Sequence, residues 1–337
     1  MCPTPASTPC ATGIDALLSG SSLTQGSVGR LWHSIGHTPT EPELQQYAAI
    51  HDVIVLNAWN TAQLARIREL NPKAIVLVYK DLSSTRSYAG AVGREGDAAL
   101  LPAGVGYVQA QQHPDWFATT GNGSRIEWEP YSGHWQMAVW NARYQQTWIE
   151  QVTDEVVRNG WDGVLADNNF WTLKWYSESV LAGTNSSEQT DQRLRDGLDV
   201  MIAKAGTALN SRGKLLVPNT SDGRLDLGRW HASSAYGGSM EENFTHWGTS
   251  GADGFLTDWG PTGWVDQTAQ LDVPLTLAVT HGVTGDQRTM RYAYASALVR
   301  ARGRVAWSAG VPEYDDVAPF LSWQDIELGA PLGPGEP

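Results

Sequence analysis

Trp161-Asp162-Gly163-Val164-Leu165-Ala166-Asp167-Asn168-Asn169-Phe170 reads as an apolar strand that ends on an acid flanked by amides. Side chains alternate faces along a strand, so Asp167 shares a face with Leu165 and lies one step beyond a buried layer. Further along, Gly238-Ser239-Met240-Glu241-Glu242-Asn243-Phe244 repeats the order Gly, any residue, large apolar residue, any residue, carboxylate, Asn that Gly163 to Asn168 sets out. Glu242 therefore stands to Met240 as Asp167 stands to Leu165. A lone Asp after a strand reads first as a helix cap. The same layout on a second strand turns the reading toward a pair of acids at the C-terminal mouth of a parallel sheet, where α/β proteins keep their chemistry.

Outward from these two segments, strand-like runs recur with helical patterns between them, the rhythm of βα units. They are Arg30 to Ile35, Val53 to Ala58, Ala74 to Tyr79, Gly163 to Asp167, Lys214 to Val217, Ser239 to Glu242, Pro274 to Val279 and Arg304 to Ser308. Leu64, Ile67 and Leu70 share a helix face after Asn60, a plausible cap, and Pro72 stops that helix. Tyr144, Trp148, Val152 and Val156 form a stripe from an Asn141 cap to Gly160; Leu194, Leu198, Met201 and Leu209 mark another helix, and 288–302 one more. The expected fold is α/β, a single-domain (β/α)8 TIM barrel over residues 29–310, after an N-terminal extension (1–28) and before a Pro/Gly-rich C-terminal tail (311–337). The connections Leu82 to Trp140 and Thr245 to Asp272 are too long for simple crossovers. They carry Trp116, Trp128, Tyr131, Trp135 and Trp140, and Trp247, Trp259 and Trp264. Both follow strand C-termini, so both are expected to wall a cleft over the mouth.

Acidic residues outnumber basic ones 36 to 23 in 337 residues, a net charge of −13, which argues against nucleic acid or an anionic membrane as partner. No apolar run approaches the roughly 18 residues of a membrane span. Trp, at 16, outnumbers Tyr at 11 and Phe at 5. An indole pairs a flat apolar face with one N–H donor, which suits sugar rings, although many of these side chains have structural work to do. Cys2 and Cys10 lie in a Pro/Thr/Ser-rich start without a signal peptide. That start reads as the exposed beginning of a mature chain, giving an expected extracellular or cell-envelope location. A monomer is expected.

Metal ligands at workable spacing, a serine nucleophile elbow and nucleotide-binding glycine loops are all missing from the sequence, so no metal and no cofactor is expected. Acid chemistry remains. Glycoside hydrolysis needs one carboxylic acid to protonate the leaving oxygen and one carboxylate to attack the anomeric carbon or activate water, and Asp167 and Glu242 supply that pair. Asn168 and Asn243 beside them, with His33, Asn57, Trp59, Lys80, Asp81, Asn219, His281 and Trp307 at other strand ends, are candidate substrate contacts, joined by Asp258 and Trp259 from the second long loop. Each has a structural explanation when taken alone; their shared placement at the mouth raises them.

Asn141-Ala142-Arg143-Tyr144 and Gly160 to Asn168 resemble the Asn-Pro-x-Tyr and Gly-Phe-Asp-Gly-Val-Phe-Leu-Asp-Asn segments of bacterial TIM-barrel glycoside hydrolases, and His113-Pro114-Asp115-Trp116-Phe117 looks like another of their segments. Together these segments resemble hypothetical glycosyl hydrolase family 15 and, more distantly, polygalactosaminidase and α-galactosidase-like barrels. The resemblance implies a carbohydrate substrate, with Asp167 as nucleophile and Glu242, rather than Glu241, as proton donor. Ala142 departs from the usual Pro without touching a catalytic position. The expectation is a glycoside hydrolase acting on an oligo- or polysaccharide, with retention favoured because the two acids occupy matching positions two strands apart. Its rivals are an inverting enzyme using the same acids, a non-catalytic carbohydrate-binding barrel, and a site in which Asp258 replaces Glu242.

Overall fold

The computed structural model of the chain describes residues 11–247, 254–281, 286–309 and 321–325. Cys2, Cys10 and most of the C-terminal tail lie outside them.

Eight strands form one parallel sheet: β1 (Val28–His33), β2 (Val53–Leu56), β3 (Ile75–Asp81), β4 (Gly163–Asp167), β5 (Leu215–Pro218), β6 (Ser239–Glu241), β7 (Leu275–Thr280) and β8 (Arg304–Ala309). Neighbours run in the order β6-β7-β8-β1-β2-β3-β4-β5. The two ends meet through parallel bridges pairing Leu216 with Gly237 and Asn219 with Met240, so the sheet closes into a (β/α)8 barrel. β1 begins two residues earlier than its apolar pattern indicates, because the Val28 to Arg30 backbone pairs with β8 at Val305 to Trp307.

The glycines that open both acid-bearing segments have a steric cause. A Cβ at Gly163 would lie 2.3 Å from the Leu215 carbonyl oxygen, and one at Gly238 would lie 2.1 Å from that of Leu275. Only glycine lets these strands approach their neighbours so closely.

Alternation sends Leu31, Val55, Leu77, Leu165, Val217, Met240 and Leu277 into the barrel interior as one apolar cluster. Ile14 and Leu18 of the helix Ala11–Gly20 belong to the same cluster, so part of the segment preceding β1 plugs the barrel floor. The opposite strand faces, Val76, Val78, Val164 and Ala166 among them, pack against Trp148, Val152 and Val156 of the helix Ala142–Asn159. Each of the Val and Leu side chains contributes about 1.5–3 kcal/mol on burial.

That helix starts where Asn141 accepts hydrogen bonds from the Arg143 and Tyr144 amides, and ends at Gly160 in a left-handed conformation, φ 81°. Asn60 behaves differently from its expected capping role. It precedes the helix Thr61–Leu70 without capping it, because its side-chain oxygen accepts from the backbone and side-chain amides of Asn57 instead.

The segment after β3 folds back over the mouth, pairing Ser84–Arg86 with His134–Gln136 in an antiparallel ribbon. Its Leu82 amide donates to the Asp167 carbonyl, tying the ribbon to the end of β4. Among the described residues, no helix is long and apolar enough to cross a membrane.

Candidate active site

β4 delivers Asp167 into a cavity of about 230 Å³ at the C-terminal mouth, and the turn after β6 delivers Glu242 into the same space. Leu165 and Met240 lie beneath them as lining residues. Glu241, one residue earlier, faces away. It is fully buried behind the strand, accepts from Gln270 Nε2 and the Asn243 amide, and is pushed up to about 7 by burial.

One amide joins the two acids. Asn219 Nδ2 donates to Asp167 Oδ1 at 2.9 Å and to Glu242 Oε2 at 2.8 Å, so these oxygens are no more than about 5.7 Å apart. Asp167 Oδ1 also accepts from the Asn168 amide, and Oδ2 accepts from the Tyr79 hydroxyl at 2.6 Å and from Asn168 Nδ2 at 3.2 Å. Four donor contacts thus reach the Asp167 carboxylate, and hydrogen bonds of this kind favour its ionised form. Burial, followed by the charges of Glu242 and Asp81, still raises this carboxyl from the ordinary 3.8 to about 6. Burial and the Asp167 charge hold Tyr79 well above its usual range, so its hydroxyl stays protonated and donates.

Asn168 has φ 65°, a left-handed conformation that Asn tolerates better than most residues. The turn directs its Nδ2 at both Asp167 and Asp81, while its Oδ1 accepts from the Tyr176 hydroxyl. Asp81 was expected to touch substrate. It instead lies buried behind Asp167, its register partner across β3 and β4, where it binds Arg86 Nη2 at 2.8 Å and the Ser83 and Ser84 amides.

His33, Asn57, Trp59 and His281 also line the cavity. His33 is lowered to about 4 by burial and then by nearby His281, and His281 is itself lowered by burial and His246, so both rings are neutral at pH 7. Asn57 is already committed to its loops, its Oδ1 accepting from the Gly36 amide and its Nδ2 donating toward the Ser34 and His37 carbonyls. Trp59 is 40% exposed and offers a flat face. Asn243 lines a smaller adjoining cavity with Glu242.

Four expected contacts lie elsewhere. Lys80 follows inward-facing Tyr79 and so points outward, bonding Glu155 at 2.7 Å and the Leu101 carbonyl at 2.6 Å beneath the helix layer. Trp307 follows inward-facing Ala306, is buried against Tyr294, and donates to Thr280 Oγ1. Asp258 is exposed and accepts from the Gly260 amide in its own turn, which removes the geometric basis for it as a substitute acid. Trp259 stacks on Trp264 at 4.7 Å, away from the cavity.

The first long loop supplies Arg86, Tyr88, Trp128, Tyr131 and His134 to the cavity wall, and Tyr176 stacks on Trp128 at 4.0 Å. Trp116 is buried among helix-side residues and does not line the cavity. Tyr79, Arg86, His134 and Tyr176 were not singled out in the sequence. For Tyr79 a signal existed, since it shares its strand face with Leu77 and the mouth.

The model of hypothetical glycosyl hydrolase family 15 matches residues 68–337. No curated protein matches the chain. Among solved structures, the cycloalternan-degrading enzyme from Trueperella pyogenes is similar at TM-score 0.51 and 10% identity, over 89% of this chain and 46% of that one. The uncharacterized protein lmo2446 from Listeria monocytogenes EGD-e gives 0.50 and 11%, over 90% and 31%. Ega3 from Aspergillus fumigatus, solved with galactosamine, gives 0.47 and 9%, over 86% and 92%. At these identities the likeness is one of fold. The chain spans less than half of the first two proteins and nearly all of Ega3.

Proposed function

We propose that this chain, which belongs to hypothetical glycosyl hydrolase family 15, hydrolyses glycosidic bonds of an oligo- or polysaccharide with retention, using Asp167 as nucleophile and Glu242 as acid/base. The observation that carries the reading is the Asn219 amide, which links the two acids with their near oxygens no more than about 5.7 Å apart. Retaining pairs are about 5–5.5 Å apart, and inverting pairs, which must admit a water, about 6.5–9.5 Å.

The chemistry follows from the donor pattern. Asp167, met by four donors, attacks the anomeric carbon while Glu242 gives its proton to the glycosidic oxygen, so the C–O bond breaks and the alcohol departs. Water then enters, Glu242 takes its proton, the hydroxyl adds to the anomeric carbon and Asp167 leaves as carboxylate. As positive charge develops on the sugar, the aspartate faces it in a water-poor site. Neutral His33 and His281 can both donate to and accept from sugar hydroxyls. A polymer met outside the cell agrees with an extracellular or cell-envelope location and a monomeric enzyme.

The test is a polysaccharide and glycosyl-fluoride screen, followed by NMR of the first-formed anomer and mass spectrometry after a 2-deoxy-2-fluoro glycoside of the accepted sugar. Retention with a glycosyl adduct on Asp167 is expected. Inversion would make Asp167 the base for water, and binding without turnover would leave a carbohydrate-binding barrel.

A further inference from the structure

Two chambers meet at Glu242. The larger has a volume of about 230 Å³ and the smaller about 120 Å³, and Asn168, Tyr176, Asn219 and Glu242 line both. Asp167 and Trp59 line only the larger, whereas Trp175, Ser221 and Asn243 line only the smaller.

On the reading above, the nucleophile touches the anomeric carbon, so the sugar undergoing attack occupies the larger chamber with Asp167. The proton donor must touch the oxygen joining that sugar to the next unit. Glu242 borders both chambers, so the bond to be cut crosses the boundary between them. We infer that the smaller chamber is the leaving-group site, binding the sugar on the reducing side of the scissile bond with Trp175 as its stacking platform and Asn243 as a hydroxyl partner. This rests on the assignment of Asp167 and Glu242 as the catalytic pair.

Independent features of the smaller chamber agree. Trp59, Trp175, Trp247 and Trp259 are all exposed tryptophans. Trp247 carries the Arg224 guanidinium and Trp259 stacks on Trp264. Among the described residues, the rings of Trp59 and Trp175 meet neither an aromatic ring nor a guanidinium, so each chamber has one exposed indole without a stacking partner. Trp175 is also held in place. It ends the short 3-10 turn Leu173–Trp175, where the Thr172 hydroxyl and the Leu173 amide both donate to Asp191 at 2.8 Å. A fixed platform loses little conformational freedom when a sugar stacks on it. The Asn243 backbone is anchored through its amide to Glu241 and through its carbonyl to Gln267, while its side-chain amide makes no hydrogen bond among the described residues. Ser221 donates to Asn219 Oδ1, which ties this chamber's wall to the amide between the two acids.

A glycosyl fluoride tests this because its leaving group is an ion that needs no sugar site. Wild-type and Trp175→Ala enzymes would be compared on α- and β-fluorides of glucose, galactose, mannose and the 2-amino sugars, and on disaccharides with the same non-reducing sugar. Expected is a loss of about tenfold in kcat/KM on the disaccharide, carried mainly by KM, with the fluoride changed less than about twofold. Trp175→Phe should recover most of the loss, and Asn243→Ala should share the disaccharide-specific defect. Equal losses on both substrates, or no loss on the disaccharide, would overturn the assignment, and a disaccharide-specific loss in Trp59→Ala alone would reverse the polarity. Turnover of no fluoride by the wild-type chain, with no adduct on Asp167, would instead remove the glycosidase reading and the leaving-group site with it.

Discussion

The Tyr79 hydroxyl lies 2.6 Å from Asp167 Oδ2 and donates to it, across the register of adjacent strands β3 and β4. The bond stabilises the ionised acid against the burial and neighbouring charges that raise it to about 6. Tyr79→Phe removes that donor without emptying the space the ring fills. Hydrogen bonds to charged groups contribute about 1.5–3 kcal/mol, so the acidic limb of kcat/KM should move to higher pH. A pH–rate profile reads the shift, and an unmoved limb would mean that Asp167 ionisation does not govern activity.

If Asp167 is the nucleophile proposed above, Asp167→Asn should lower turnover by about 1000-fold or more, since a lost nucleophile costs several kcal/mol in the barrier, and it should also change how stability responds to pH. The folded chain holds the Asp167 proton to about 6, against an ordinary 3.8. The stability this gives is fully present below about pH 4 and is lost as pH rises through about 6. The Asn variant has no such titration. Its denaturation midpoint should therefore fall less than that of the wild type between pH 4 and pH 7, and parallel curves would contradict the raised value.

Lys80 and Glu155 form a buried ion pair, and Glu155 Oε1 has no hydrogen-bond partner among the described residues. Lys80→Met leaves Glu155 without its cation and should cost about 3–5 kcal/mol, most of it recovered in a double variant that adds Glu155→Leu. Urea denaturation measures both. KM should stay within about twofold in either variant, because Lys80 points away from the cavity; a selective rise in KM would return it to the substrate site.

Asp258→Asn should change kcat and KM by less than about twofold, as befits an exposed turn residue whose loss is worth within about 0.5 kcal/mol. A loss of an order of magnitude or more in kcat would restore Asp258 as proton donor in place of Glu242.

The barrel was legible because its strands carry their own punctuation. Gly163 and Gly238 mark close strand contacts, and the alternation after each delivers Leu165 with Asp167 and Met240 with Glu242 to one face. The same alternation separates Tyr79 from Lys80 and Ala306 from Trp307. Treating every polar or aromatic strand end as a mouth residue put Lys80 and Trp307 in the site and passed over Tyr79. Tyr176 and His134 had no comparable signal. They reach the cavity through long connections whose course depends on tertiary contacts, such as the stacking of Tyr176 on Trp128.

The helix Ala11–Gly20 fills the barrel floor with Ile14 and Leu18, and the segment behind it bonds to the start of β8, Gln25 to the Arg302 carbonyl and Arg304 to that of Leu23. The apolar face of this helix therefore waits for segments far along the chain before it is covered, so folding of the barrel base is committed late, and a chain cut short before Arg304 leaves that base open. The same placement gives the molecule a direction: Ile14 and Leu18 plug one end of the barrel, so access to Asp167 and Glu242 runs through the opposite end.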